Sequence, residues 1–170
     1  LSSTGSATIG AVTDNGDGTY TATVTNTVAE SVTISGTLDG AAITDTATVT
    51  FTVGAADPTN GNTTLVAAPT SVVADGSTTS SVTVTLADAS GNLLTASGGT
   101  VALSSTGSAT IGAVTDNGDG TYTATVTNTV AESVTISGTL DGAAITDTAT
   151  VTFSEKSPRE KFLELEDDIR

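Results

Sequence analysis

Carboxylates are the only side chains along most of this chain that offer strong ligand chemistry. Their densest group is Asp116-Asn117-Gly118-Asp119-Gly120, which also occurs as Asp14–Gly18. Such a run suits a hard cation like calcium, which takes about six to eight oxygens. The order departs from an EF-hand loop, because Gly118 stands where the third-position ligand belongs and no Glu follows at the right distance. The same residues read more simply as a hairpin turn, with glycine supplying positive φ and Asn and Asp bonding their own backbone. Asp57, with Asp141 or Asp39 in loops that face a junction, is a looser calcium candidate. Rows such as Thr121, Thr123, Thr125 and Thr127 resemble ice-binding faces, yet β-branched Thr is an ordinary residue for a wet strand face. Sugar binding needs exposed aromatic platforms, and Tyr20, Tyr122, Phe51 and Phe153 all fall on core phases.

Catalysis lacks its usual parts. The chain has no His or Cys, and its first Lys is Lys156, so neither a Ser-His dyad nor a lysine base can be assembled upstream. The same absence excludes Lys–Asn isopeptide crosslinks within residues 1–154. No catalytic, cofactor-binding or metal residue is assigned, no enzyme activity is expected, and calcium is the one ion left open.

The elements that carry these residues repeat. Leu1–Phe51 recurs without a change as Leu103–Phe153. That period exceeds the roughly 20–50 residues of solenoid units and matches a small independent domain. The chain therefore reads as a window on a tandem array: 1–53 is the C-terminal half of a repeat, 54–62 a short linker, 63–153 a complete repeat, and 154–170 a tail that opens a helix or another module. Deprived of a counterpart to Thr63–Ala102, residues 1–51 are expected to be disordered, aggregation-prone or completed by a second chain.

Period-2 alternation dominates the complete repeat. Val82, Val84 and Leu86 alternate with hydroxyl residues, as do Tyr122, Ala124 and Val126, then Val134 and Ile136, then Ala149, Val151 and Phe153. One apolar and one polar face belong to antiparallel sheets packed on one side. Turn signals at Asp75-Gly76, Ser90-Gly91-Asn92, Gly98-Gly99, Asp116–Gly120 and Asp141-Gly142 divide the runs. Seven or eight short strands with no helical period predict an all-β sandwich. The tail differs: Ser157-Pro158-Arg159-Glu160 has capping-box form, and Phe162, Leu165 and Ile169 predict a short C-terminal helix from Pro158 to Arg170.

Charge excludes further classes. The four basic residues are Lys156, Arg159, Lys161 and Arg170, while residues 1–154 carry thirteen Asp or Glu and no base. Such a surface repels nucleic acid, whose phosphates require Lys or Arg. It also keeps crowded modules soluble and apart. No run approaches the ~20 apolar residues of a membrane span, so no membrane insertion is expected in this segment.

Four ordered motifs carry a resemblance: Ser71–Gly76, Val84–Asn92, Asp116–Ala124 and Ile145–Phe153. Together they resemble bacterial immunoglobulin-like domains of group 1, the invasin/intimin type, over 63–153 and over 1–51 as the second half. One departure is Leu93, where many relatives have Pro. The resemblance implies sandwiches strung as rods on bacterial surface proteins, hence an extracellular or cell-surface location with neighbouring repeats as partners. The function it implies is a non-catalytic spacer or stalk of an adhesin-like protein; the alternative is a calcium-dependent or carbohydrate-binding module. The run Asp119-Gly-Thr-Tyr-Thr-Ala124 resembles the tyrosine corner of immunoglobulin folds, with Ala124 (and Ala22) standing at the disulfide position.

Overall fold

A computed structural model describes residues 1–158. The chain divides into two compact units, Leu1–Gly54 and Ala55–Arg170.

Unit 1 carries nine strands: β1 (Ser2–Ser3), β2 (Thr8–Ile9), β3 (Thr13–Asp14), β4 (Tyr20–Thr21), β5 (Val24–Thr25), β6 (Ser31–Ser35), β7 (Thr37–Leu38), β8 (Ala41–Ala42) and β9 (Ala47–Thr50). β1, β6 and β9 form one sheet, and β2–β5, β3–β4 and β7–β8 form separate pairs. The copy expected to be disordered, aggregating or completed by a second chain thus holds its strands and turns, with much of its apolar face uncovered. Within unit 1, Val32 alone is a buried apolar residue.

Unit 2 carries ten strands among the described residues: β10 (Thr64–Ala68), β11 (Ser71–Val73), β12 (Ser80–Thr85), β13 (Val101–Ser105), β14 (Thr110–Ile111), β15 (Thr115–Asp116), β16 (Thr121–Thr127), β17 (Ser133–Leu140), β18 (Ala143–Ala144) and β19 (Ala149–Ser154). One sheet has the order β10-β12-β16-β14, with β15 also on β16. The other has the order β11-β19-β17-β13, with β18 on β17. All pairings are antiparallel except β11 with β19, which run parallel. The chain changes sheets between β10 and β11, where the Ala68–Pro69 bond is cis.

Alternation becomes burial. Val82, Val84 and Leu86 from one edge of the repeat, and Val126, Val134, Ile136 and Val151 from the other, are fully buried. With Leu65, Val72, Tyr122, Leu140, Ile145 and Phe153 they form one core between the sheets. Each large aliphatic side chain placed there contributes about 1.5–3 kcal/mol over leaving it exposed. The intervening Ser and Thr residues face outward.

Segment 54–62, expected as a linker, is bonded onto unit 2 from Ala55 onward. Asp57 N–H donates to Ala87 O at 2.8 Å, and Thr146 N–H donates to Pro58 O at 3.0 Å. Thr63 is buried and donates its hydroxyl to Asp57 O at 2.9 Å. The alternation of strands does not reveal these bonds, because they are made by an irregular backbone. The helix expected for the tail lies outside the described residues.

Candidate functional site

Every candidate ligand in unit 2 sits on a turn and accepts hydrogen bonds there, most of them from the turn itself. Asp116 Oδ1 accepts Gly118 N–H at 2.9 Å, where Gly118 has φ +77°. Asp119 Oδ1 accepts the Thr121 hydroxyl at 2.6 Å and the Thr121 N–H at 3.0 Å. Asn117 Nδ2 donates to Thr121 Oγ1 at 2.8 Å. The hydroxyl of Ser97, followed by the Gly118 N–H, holds the Asp116 carboxyl below the usual carboxylate range. Thr121, through hydroxyl and N–H, does the same for Asp119. The loop is a hairpin tip whose carboxylates are engaged by the turn and, for Asp116, by Ser97 as well.

The looser candidates are likewise engaged. Asp57 Oδ1 accepts Thr59 N–H at 2.8 Å and its hydroxyl at 2.7 Å, and these bonds lower its pKa. Asp141, a non-glycine residue at φ +49°, accepts Thr100 N–H at 2.8 Å. A short polar side chain is the kind that tolerates that left-handed backbone. Among the described residues no group of three or more His, Cys, Asp or Glu is placed to hold a metal ion.

Several structural carboxylates make bonds that the sequence reading did not assign. Asp88 is buried, and its Oδ1 accepts the N–H groups of Ser90 and Asn92, both at 2.9 Å. Asp147 Oδ2 accepts Leu65 N–H at 2.9 Å, tying the start of β10 to the loop before β19. Asp75 accepts Thr78 and Ser77 N–H groups at 2.6 and 2.8 Å, and those two bonds drive its pKa far down. Glu132 accepts Ser108 N–H at 2.6 Å and Asn128 Nδ2 at 2.9 Å. The signal for this last pair was present as Asn and Glu four residues apart in both copies. Local turns announce themselves in sequence; the Asp147 bond spans most of the repeat and does not.

Tyr122 is the tether between sheets. Its buried hydroxyl donates to Gly99 O at 2.7 Å and accepts Gly98 N–H at 3.1 Å. The backbone bond fits the sequence expectation, but its reach does not. A tyrosine corner closes on backbone a few residues upstream, whereas this acceptor lies 23 residues back, just ahead of β13. The disulfide comparison is also corrected. Ala124 is paired with Val82 inside one sheet, while the immunoglobulin bridge links strands of opposite sheets.

Gly120 makes this packing possible. A Cβ there would collide with the Leu94 carbonyl oxygen, and φ is +86°. The hydroxyl rows lie opposite the core. Thr121, Thr123 and Thr125 of β16 align with Thr85, Thr83 and Ser81 of β12 on the outer face.

The order β10-β12-β16-β14 against β13-β17-β19 matches the A-B-E-D and C-F-G sheets of an immunoglobulin-type sandwich. Its class is therefore an immunoglobulin-like repeat. The family model for invasin domain 3 matches residues 1–54 and 59–156, and the chain belongs to that family. Among solved structures it is similar to the Escherichia coli adhesin FdeC, at 28% identity over 91% of this chain and 52% of that one, with TM-score 0.58. Invasin, described as a bacterial integrin-binding protein, is 28% identical over 91% of this chain and 32% of that one, with TM-score 0.56. Yersinia pseudotuberculosis InvD is 30% identical over 91% and 46%, with TM-score 0.55. The chain thus spans about half or less of these solved chains. No curated protein matches it.

Proposed function

We propose that this chain is a non-catalytic spacer segment of a bacterial surface adhesin, acting by placing other modules at a distance. The observation that carries the reading is the unchanged recurrence of Leu1–Phe51 on an invasin-type sandwich. Identical modules set length and valency, and binding faces need diversity. The turn carboxylates support the same reading, since those of Asp57, Asp116 and Asp119 accept hydrogen bonds within their own loops and that of Asp141 accepts Thr100 N–H. Extracellular placement follows from the adhesins it is similar to, and neighbouring repeats are its partners.

Chains of two, four and six repeats test this by small-angle scattering. The eight-residue β17 spans about 26 Å, and loops bring a repeat to about 40 Å. Maximum dimension should rise by that increment per repeat, with and without calcium. A compact particle that does not lengthen would overturn the spacer reading. Growth only with calcium would assign the ion to the junctions and favour the metal-tuned alternative.

A further inference from the structure

The segment leading into β10 is seated on unit 2 by a short seam of bonds, and one of them rests on a side-chain amide. Asn60 Nδ2 donates to Asp88 O at 3.2 Å, while Asn60 Oδ1 accepts Asn62 N–H at 2.9 Å. Beside it Asp57 N–H donates to Ala87 O at 2.8 Å, and a β-bridge joins Ala56 to Asp88. Thr63 closes the seam, its hydroxyl donating to Asp57 O at 2.9 Å and accepting Ala87 N–H at 3.1 Å.

Gly61 follows Asn60. Asparagine ahead of glycine is the pair most prone to attack its own side chain, because no Cβ shields the next amide nitrogen. The chain holds three such pairs, at Asn15, Asn60 and Asn117. At the two hairpin tips the attacking nitrogen is occupied: Gly16 N–H donates to Asp14 and Gly118 N–H to Asp116, both at 2.9 Å. A carboxylate so close also opposes the loss of the amide proton that attack requires. The side-chain amides there are pinned as well, Asn15 Nδ2 on Thr19 at 2.9 Å and Asn117 Nδ2 on Thr121 at 2.8 Å. Gly61 N–H makes no such bond among the described residues. Its φ is +80°, nothing lies within 4 Å of its missing Cβ, and Asn60 and Gly61 are both exposed.

We propose that Asn60 is a self-modification site whose deamidation releases segment 55–62 from Ala87 and Asp88. The Gly61 nitrogen gives its proton to hydroxide and bonds to Asn60 Cγ, closing a succinimide. Nδ2 takes a proton from water and leaves as ammonia, which regenerates the hydroxide. Water then opens the ring at either carbonyl, leaving an aspartyl or isoaspartyl residue at position 60. Solvent supplies every reactant, and no electrons are exchanged. Either product puts a carboxylate where Nδ2 was a donor. Its oxygens face Asp88 O, which already accepts Gly91 N–H at 3.0 Å, so acceptor meets acceptor. The isoaspartyl form also lengthens the backbone by a methylene and breaks the turn closed by Asn62 N–H. The charge of the chain then records its age. This inference stands apart from the spacer reading, which needs no chemical change.

The test uses the full chain, labelled with nitrogen-15, kept warm at mildly alkaline pH and followed by nuclear magnetic resonance. The side-chain amide signals of Asn60 should fade about tenfold sooner than those of Asn15 and Asn117, whose attacking nitrogens are hydrogen-bonded. As they fade, the Asp57 amide should exchange about tenfold faster, reporting local release of the seam. Asn60→Asp, made directly, should show that faster exchange from the start while the amides of β16 and β17 stay protected. Asn60 signals that persist, or that fade no sooner than those of Asn117, would overturn the site. Unchanged Asp57 exchange in the aged chain or in Asn60→Asp would overturn the release.

Discussion

Tyr20 and Tyr122 sit in the same run of fifty-one residues, Leu1–Phe51 and Leu103–Phe153, yet one is 56% exposed and the other 3%. Leu38 and Leu140 differ as widely, at 58% and 4%. Hydrogen bonds barely notice the change. Ser6 N–H reaches Glu30 at 2.6 Å, and Ser108 N–H reaches Glu132 at 2.6 Å. Gly16 N–H meets Asp14 as Gly118 N–H meets Asp116, both at 2.9 Å. Turn and hairpin geometry is written within the run itself. Burial depends on residues 63–102, and these accompany only one copy in this chain. The pair is an internal control in which sequence is held constant and packing alone varies.

Amide exchange should separate the copies most. Identical runs have matching intrinsic rates, so any difference is structural. Core amides of β16 and β17 should exchange at least a thousandfold more slowly than their counterparts at 20–25 and 31–35, since local opening ranges from near zero to the full stability. Nuclear magnetic resonance is the required readout, because protease fragments from the two copies have equal mass. Equal protection would break the comparison outright.

Truncation comes next. Tyr122→Ala should lower the stability of unit 2 by about 3–5 kcal/mol, as for other large buried aromatics. Tyr20→Ala should stay within about 0.5 kcal/mol, as for surface sites. Thermal melting followed separately in each unit reads both.

Glycine sharpens the point. Gly18 has φ +88° with nothing near its missing Cβ, while Gly120 has φ +86° against the Leu94 carbonyl. Alanine at either position meets the same left-handed penalty, about 1–2 kcal/mol. Gly120→Ala should add about 1–3 kcal/mol of overpacking, visible as the gap between the two melting shifts.

Tyr122→Phe isolates the hydroxyl and should lower stability by about 1 kcal/mol, with Tyr20→Phe silent. Acid should affect the copies most evenly. Folded pKa values of Asp17 and Glu30, and of Asp119 and Glu132, lie below those of the unfolded chain. The unfolded state therefore takes up protons first as pH falls. The stability these groups contribute is present above about pH 4.5 and is lost as pH drops through the folded values. A pH titration of melting should show this loss below pH 4.5 and a flat response between 6 and 8. Loss on raising the pH would contradict it.

Much of the fold was legible because alternation and turn chemistry are local. Val82–Leu86, Tyr122–Val126 and Ala149–Phe153 declare their faces from spacing alone, and the core is assembled from those faces. The parts that were not legible are those with distant causes. The Tyr122 bond to Gly99 crosses the sandwich, and the docking of Asp57 and Pro58 is made by backbone groups that every residue carries. Strand count fell short for the same reason: β14, β15 and β18 are two-residue pieces defined by a neighbour. For the candidate site, Asp116–Gly120 was readable as a turn, whereas the burial of Asp88 followed only from packing.

The parallel edge of unit 2 has a mechanical consequence. β11 lies near the start of the unit and β19 at its end, and the two run in the same direction side by side. Their backbones are joined by Thr152 N–H to Thr70 O and Ala74 N–H to Ser154 O, each at 2.8 Å. When the chain is drawn taut from both ends, β11 is dragged backward and β19 forward along a shared axis. The bonds between them lie across that axis and are loaded in shear, so they must give way together, not one after another. A hairpin pulled open at its mouth would yield link by link. A unit loaded through its two ends would be held by this clamp, and the force that parts it is set by the rate of barrier crossing, not by the depth of the folded well.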